Sequence, residues 1–545
     1  MIKNKNNYID FLEKTENDLA GTSFTQELID NFNFSKYKKM LKEQELFVPV
    51  VGAFSAGKST LLNTFLGKDY LSIDPSPKTA LASELRFSKE EKIEAVKADD
   101  SHDTFKIDDI EIIEEKAEDY KYLRYFIDNE NVKALEPLIL VDMPGFDSPL
   151  DLHNQAILEF ISKGVHYIVL NSCEAGNIPK SILKQLQFIL DLDRDFSFFL
   201  SKTDLKPEKD IKEISDYIKS QINDYLLSDK EVYTLSQDNK DNFQKILNTI
   251  NPEDIFKNLF LKILQSKATL LEDSISTIIN TLNSDGQKGL STIVQLQEGL
   301  KQIENKKANL IKEAEASANK STIDTVKEIK NELLDDLDIL AEKASKEPSR
   351  FANHLQNTVQ SMLREKVMIK IKENKADLLD DFAKELKTMS FDLSIISEDW
   401  TDNLKNASKE AMNLGVPLLI AKIGLSFNAL IHAVASVLTN LLTSLLASNK
   451  KERQIETIKS QLANTMIPDI VSRLNEITPK IFNDNLENIT NEISKCLEDE
   501  FIKKEDEIKQ AQKESEKNKE ETQKNISTLS EIKIKLQKNK KSLGL

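Results

Sequence analysis

Val50–Gly67 reads VVGAFSAGKSTLLNTFLG. Its centre, Gly52-Ala53-Phe54-Ser55-Ala56-Gly57-Lys58-Ser59, matches GxxxxGK[ST], a loop whose backbone N–H groups turn inward around phosphate oxygens. The apolar run Leu46–Val51 stands directly before it, and a helix over Thr60–Leu66 is expected directly after. That strand–loop–helix setting is what the motif requires. The helix N-terminus adds partial positive charge. In this arrangement Lys58 reaches the β and γ phosphates of a nucleotide, and Ser59 offers its hydroxyl to Mg2+.

Downstream, further short apolar runs read as buried strands: Ala80–Phe87, Leu138–Val141, Tyr167–Leu170, Phe196–Leu200 and Val232–Leu235. Helical stretches separate several of them, the pattern of a mostly parallel sheet with helices on both faces. Residues 88–136 read as a charged insertion. Asp142-Met143-Pro144-Gly145 follows the strand Leu138–Val141, where an Asp can hold magnesium through water and a glycine N–H can meet the γ-phosphate. Ser201-Lys202-Thr203-Asp204 follows Phe196–Leu200. Asp204 can accept the N1 and N2 hydrogens of guanine while the Lys202 stem lies over the ring; adenine lacks those donors. Thr79 sits in Pro75-Ser76-Pro77-Lys78-Thr79, a loop because two prolines prevent a helix. Its hydroxyl can complete a magnesium shell.

P-loop, Thr, DxPG and KxD stand in the order of GTP-binding proteins. The run Val50–Gly67, with PxTA at Pro77–Ala80 and DMPG at 142–145, resembles the dynamin superfamily, especially bacterial dynamin-like proteins and their mitofusin-like relatives. The gap of more than 60 residues between Thr79 and Asp142 fits as well. The resemblance implies GTP/GDP and Mg2+ as ligands. It makes Gly52, Ala53, Phe54, Ser55, Ala56, Gly57, Lys58, Ser59 and Thr60 the phosphate site, with Asp142 beside it. Ser59, Thr79 and Asp142 become the magnesium ligands. Lys202 and Asp204 become the guanine readers, and Ser55, Lys58, Thr79 and Gly145 the catalytic set. Phe54 stands where dynamin itself has a water-positioning glutamine, so the water-activating group is unassigned. Ser201 replaces the usual Asn or Thr, which is expected to weaken guanine affinity.

The chain has 545 residues, formal net charge -17, and only 13 Gly and 13 Pro. Average usage is about 7% Gly and about 5% Pro, so a largely helical chain is expected and all-β or collagen-like classes are excluded. Residues 1–250 hold 7 Gly and 8 Pro; the remainder holds 6 and 5, too few for many turns. The acidic balance disfavours nucleic acid as a partner. Cys173 and Cys496 lie far apart without CxxC, which favours an intracellular compartment. The five His show no zinc spacing, and the charged N-terminal stretch lacks the apolar run of a secretory signal.

Residues 8–45 read as one or two helices with a break at Gly21-Thr22-Ser23. From about 255 the pattern is helical. Ile293, Leu296, Leu300, Ile303, Lys307, Leu310 and Ala314 follow 3-4 spacing. So do Leu497, Phe501, Lys504, Ile508 and Ala511, continuing through a polar seam between Ser515 and Asn525 to Leu529, Ile532 and Leu536. Such a stripe serves an intramolecular bundle or an intermolecular coiled coil. Ala411–Asn449 contains one formal charge, Lys422, in 39 positions. Three readings fit it: a membrane-inserting paddle, the buried centre of a bundle, and a transmembrane segment. Trp400 is a candidate interfacial anchor.

The expected architecture is therefore an α/β P-loop GTPase domain followed by a long all-α neck and trunk with an apolar paddle tip. Its expected segments are 1–45, an N-terminal helical piece packing on the C-terminal helices; 46–255, the GTPase domain; and 256–545, the trunk with its tip at 411–449. The resemblance implies a cytoplasmic protein, peripheral on the inner face of the cell membrane, that remodels, tethers, fuses or divides lipid membrane as a homo-oligomer or with another dynamin-like subunit. The alternative is a GTP-regulated helical scaffold that binds a protein partner through 411–449. An SMC-like ATPase is disfavoured, since neither an LSGGQ-like signature nor an Asp-Glu strand end is present.

Overall fold

A computed structural model describes residues 2–20, 24–53, 55–72, 81–97, 99–144, 160, 163–191, 194–236, 241–283, 286–346, 348–387, 451–517 and 519–543. Phe54, Thr79, Gly145, Trp400 and the apolar segment 411–449 lie outside the described residues. The chain divides into two compact units: one is essentially Glu45–Ile255, and the other joins Ile2–Gln44 to Phe256–Ala352 and Thr358–Leu545.

Among the described residues, the first unit is built on nine strands: β1 Leu46–Gly52, β2 Ser83–Phe87, β3 Lys92–Val96, β4 His102–Phe105, β5 Tyr122–Ile127, β6 Leu138–Asp142, β7 His166–Ser172, β8 Asp195–Ser201 and β9 Val232–Thr234. They form one sheet in the order β4-β3-β5-β2-β6-β1-β7-β8-β9. The pairs β6/β1, β1/β7, β7/β8 and β8/β9 are parallel, as is β2/β5, while β2 joins β6 antiparallel. From β1 the chain moves to one side of the sheet, then crosses back to β7 on the other. The strand ends of β6, β1 and β7 therefore bound a topological switch point, where open α/β sheets place ligands.

All of β1 is buried, as a central parallel strand requires. It nevertheless contains Pro49, which cannot donate to a ladder. Phe47 O accepts from Val165 N and Val50 O accepts from Met143 N, so Pro49 addresses the β7 side. On that side Phe47 opposes Gly164 and Val50 opposes Ile168. The β7 side thus has one extra residue at the proline, and the ladder is interrupted where the donor is missing.

Among the described residues, the helices of this unit are α4 Lys58–Leu66, α5 Ile110–Glu115, α6 Glu130–Leu135, α7 Lys180–Asp191, α8 Glu208–Leu226 and α9 Asp241–Leu247. Alternation along β8 shows the two covered faces. Phe198 and Leu200 join a buried cluster with Ile182 and Leu186 of α7 and Ile218 and Ile222 of α8. Phe199 points the other way and meets Phe243 of α9, which packs edge-on against Phe65 of α4.

Residues 88–136 are more than a charged insertion: they supply β3, β4 and β5 and extend the sheet. On one face Glu84, Arg124 and Glu94 stand side by side across β2, β5 and β3, with Arg86 bonded to Glu84 at 2.6 Å. On the opposite face Leu85, Tyr125 and Ile93 are buried. Charges that pair across strands look like solvated loop in a linear reading. The segment Ala80–Phe87 begins its strand only at Ser83.

The second unit begins with three helices rather than one or two: α1 Lys3–Leu19, α2 Thr25–Phe32 and α3 Phe34–Glu43. Asn33, left-handed between α2 and α3, caps α3 by accepting from Lys36 N. Long helices follow: α10 Pro252–Asn283, α11 Gly286–Asp335, α12 Leu337–Lys346, α13 Pro348–Lys387, α14 Lys451–Gln461, α15 Ile467–Lys517 and α16 Lys519–Leu543. A π-turn, Leu462–Met466, precedes α15, and Pro479 lies inside it.

The 3-4 stripes are packed within the chain. Gln297 bonds Glu505 at 2.7 Å, and Lys307 pairs with Glu498 at 3.6 Å. One number rises as the other falls, so α11 and α15 run antiparallel. Gly299 faces the ring of Phe501, and a Cβ there would lie 2.3 Å from Phe501 Cε1. The stripe at 497–536 does not run through one helix. α15 ends at Lys517, α16 starts at Lys519, and the Thr522 hydroxyl donates to Glu514 O at 3.4 Å. That contact spans eight residues of the polar seam, farther than side chains reach along one continuous helix. Asp18 of α1 pairs with Lys535 of α16 at 3.2 Å, and Glu16 with Lys38 of α3 at 2.6 Å. Among the described residues no helix is long and apolar enough to cross a membrane.

Candidate nucleotide site

The loop between β1 and α4 sits at the switch point. Gly52 has no alternative: a Cβ there would lie 2.2 Å from Leu170 O, a backbone atom of the neighbouring strand. Gly57 has φ 90°, a left-handed value that glycine adopts without steric cost, and it opens α4 as the N-terminal cap. Ser55, with φ 61°, is left-handed although it carries a Cβ. Strain of that kind persists where the surroundings hold it and clusters at ligand-binding sites.

Lys58 is buried, and its Nζ donates to Ala53 O at 3.0 Å and Gly52 O at 3.3 Å. The ammonium thus folds over the mouth of its own loop. Ser59 Oγ donates to Asp142 Oδ2 at 2.6 Å, joining two sequence motifs 83 residues apart. Enclosure pushes the Asp142 carboxyl above the ordinary carboxylate range, opposed by the Ser59 hydroxyl and the Lys58 ammonium. Asp142 Oδ1 is buried without a hydrogen-bond partner among the described residues. A hydroxyl and a carboxylate with one unengaged oxygen are hard donors that fit a magnesium ion sharing its shell with phosphates. Among the described residues no cluster of three or more His, Cys, Asp and Glu offers a metal cage of its own.

The β8 exit lies beside this loop. Ser201, buried, donates its hydroxyl to Ala56 O at 2.7 Å, with Asn171 O at 3.3 Å. The residue singled out for replacing Asn or Thr therefore ties the KxD strand to the phosphate loop. Lys202 follows in the left-handed region, and Asp204 lies in the 3-10 turn Thr203–Leu205. Thr203 anchors that turn by donating from N and Oγ1 to Leu235 O at 3.1 and 3.0 Å. Lys202 Nζ pairs with Glu174 Oε2 at 2.7 Å, and Cys173 Sγ donates to Lys202 O at 2.9 Å.

The described geometry thus brings Gly52, Ala53, Ser55, Ala56, Gly57, Lys58, Ser59, Thr60 and Asp142 to one end of β1 and β6, with Lys202 and Asp204 at the end of β8. Sequence reasoning missed Cys173 and Glu174. The available signal was that Ser172 and Ser201 end adjacent parallel strands, in register. It also missed Asn63, whose amide fixes the segment after α4 through Leu71 O, Tyr70 N and Leu71 N at 2.8, 3.1 and 2.9 Å.

Residues 48–200, within the unit that carries the nine-stranded sheet, match a family model described as Dynamin family. An uncharacterized protein in the xynA 3' region of Caldicellulosiruptor sp. (strain Rt8B.4) is 24% identical over 222 residues, 37% of this chain and 53% of that protein. Dynamin-like protein 2 of Campylobacter jejuni subsp. jejuni serotype O:23/36 (strain 81-176) is 25% identical over 228 residues, 40% of this chain and 37% of that protein. The match thus spans about half or less of the length of these curated relatives. A solved chain described as part of an oligomerised bacterial dynamin pair for long range sensing and tethering of membranes aligns at TM-score 0.38 and 17% identity, covering 99% of this chain and 82% of that one.

Proposed function

We propose that the protein is a dynamin-like GTPase that hydrolyses GTP to GDP and phosphate and couples this to remodelling, tethering, fusion or fission of a lipid membrane. The observation that carries the nucleotide part is the Ser59–Asp142 hydrogen bond. It closes the P-loop helix onto the DxPG strand at the switch point, where a magnesium–phosphate group belongs.

In this reading Lys58 leaves the carbonyls of Gly52 and Ala53 and transfers its ammonium to the β and γ phosphates. The loop N–H groups and the N-terminus of α4 stabilise the charge that develops on the transferring phosphoryl group as water attacks in line. Ser59 and Asp142 hold magnesium, with Thr79 supplying a further oxygen; the ion, when bound, neutralises phosphate charge. Gly145 offers its N–H to the γ-phosphate. Asp204 accepts from guanine N1 and N2, and the Lys202 methylenes lie along the ring. Ser55 belongs to the catalytic set, and Phe54 leaves the water-positioning group unassigned.

The membrane part rests on the composition of Ala411–Asn449, with one charge in 39 residues of an otherwise charged chain. That stretch is proposed as a lipid-binding tip of the 256–545 trunk, on a homo-oligomer or an assembly with another dynamin-like subunit.

The deciding experiment is GTP and ATP turnover by wild type and Lys58→Ala, with and without liposomes. We expect turnover with GTP alone, stimulation by liposomes, and loss in Lys58→Ala. ATP turnover equal to GTP turnover, or wild-type turnover in Lys58→Ala, refutes the nucleotide assignment. GTP turnover indifferent to liposomes, with equal liposome pelleting of wild type and Leu438→Asp/Leu442→Asp, transfers the apolar segment to a protein partner.

A further inference from the structure

We infer that the turn Cys173–Ala175, at the exit of β7, is a positioning element for nucleobase selection, with Glu174 and Cys173 gripping Lys202 at its two ends. The inference rests on the GTP-binding reading above and extends it to residues outside every motif.

Lys202 has φ 58° and ψ 35°. That left-handed conformation is disfavoured for any residue with a Cβ, and it persists only where neighbouring contacts hold it. The contacts come from one turn. Cys173 Sγ donates to the Lys202 carbonyl at 2.9 Å, and Glu174 Oε2 accepts from Lys202 Nζ at 2.7 Å. The carboxylate is itself oriented, since Ser172 Oγ donates to Glu174 Oε2 at 3.1 Å and accepts from Glu174 N at 3.2 Å. Burial pushes the Cys173 thiol upward in pKa, so it remains protonated and remains a donor.

The two grips have different consequences. Holding the ammonium at Glu174 stretches the four methylenes of Lys202 into a fixed apolar platform, the surface against which a purine ring can lie. Holding the carbonyl fixes the start of the Thr203–Leu205 turn and with it the direction of Asp204, two residues on. The Thr203–Leu235 contacts brace the other side of the same turn. The phosphate loop has no bond to Glu174 among the described contacts. Loss of Glu174 therefore acts on the base and leaves the diphosphate end alone.

The test is calorimetric titration of the full chain with GDP and with ADP, for wild type, Glu174→Gln, Cys173→Ala and Cys173→Ser. The expected result is a GDP affinity about three- to fivefold lower in Glu174→Gln, the scale of a half-exposed ion pair, with ADP affinity unmoved, so that the GDP/ADP ratio falls. Cys173→Ala lowers the same ratio, and Cys173→Ser, which keeps a donor, restores it. A purely structural role would move both nucleotides together and lower the unfolding midpoint measured in parallel. Glu174→Gln alters a surface charge and keeps the side-chain shape, so it keeps the test open if Cys173→Ala does not fold. Wild type with no preference for GDP over ADP overturns the GTP-binding reading itself. Wild type preferring GDP, with an unchanged ratio in Glu174→Gln and Cys173→Ala, overturns this inference alone.

Discussion

Replacing Ser201 with alanine removes one buried hydroxyl and nothing else of size. That hydroxyl has a single proton, and the shorter contact, 2.7 Å to Ala56 O, receives it. Ala56 is itself buried, so the mutation leaves a carbonyl of the phosphate loop without its donor. A buried acceptor left unsatisfied costs about 1–3 kcal/mol. The cost falls locally, on the free energy of opening the loop between β1 and α4, because Ser201 belongs to a strand that is otherwise intact. At about 1.4 kcal/mol per tenfold, amide hydrogen exchange across Gly52–Ser59 should accelerate roughly 5- to 150-fold at neutral pH, while amides of β8 change little. GDP binding should weaken as well, since the loop must then be ordered at the moment of binding. Ser201→Thr, which keeps the hydroxyl, should stay near wild type. Wild-type exchange across Gly52–Ser59 in Ser201→Ala would refute the reasoning, because it would mean that the tie between β8 and the phosphate loop carries no free energy.

Three further predictions concern other parts of the chain. Asp204→Asn replaces an acceptor pair with an amide whose N–H matches the 2-oxo group of xanthine. GDP affinity should fall about 10- to 150-fold, from the ~1.5–3 kcal/mol of a hydrogen bond to a charged group, and xanthosine diphosphate should bind in its place; retained GDP affinity sinks the base assignment. Gly299→Ala puts a Cβ 2.3 Å from Phe501 Cε1 at the crossing of α11 and α15. Over-packing of about 1–3 kcal/mol should lower the thermal midpoint of the helical circular dichroism signal, and an unchanged midpoint contradicts the packing. His166, bonded to Ser197 Oγ at 3.0 Å, is pushed down to about 4 by burial, with Asp195 opposing and Lys230 reinforcing. Its ordinary value is 6.5, so between about 4 and 6.5 the unfolded chain holds a proton that the folded chain does not. Stability must then rise with pH across that window and fall on acidification; His166→Gln should flatten this part of a denaturant-midpoint profile against pH.

The parts of the molecule that could be read in advance share a cause. Gly52, Gly57, Lys58 and Ser59 lie within one short backbone span, and a strand before a loop before a helix has a hydropathy signature. β1, β6, β7 and β8 are buried on both faces, so they appear as apolar runs. β3, β4 and β5 do not, because Glu84, Arg124 and Glu94 neutralise one another only after the strands are laid side by side. The same applies to Glu174 and Lys202, 28 residues apart, whose meeting depends on Ser172 and Ser201 sharing a register. The stripe from Leu497 to Leu536 had the right period for a helix. Period does not report where a helix stops, and Thr522 meets Glu514 O eight residues back, a contact that one continuous helix does not make.

The pairing of α1 with α16 carries a consequence in time. Asp18 and Lys535 are separated by 517 residues of chain. At about 5–20 residues per second of synthesis, α1 waits roughly 25–100 s for α16 to emerge. During that interval the Glu45–Ile255 unit already has every strand of its sheet. α1 therefore finds this partner late, and its contact with α16 forms only after the sheet of the Glu45–Ile255 unit has been made.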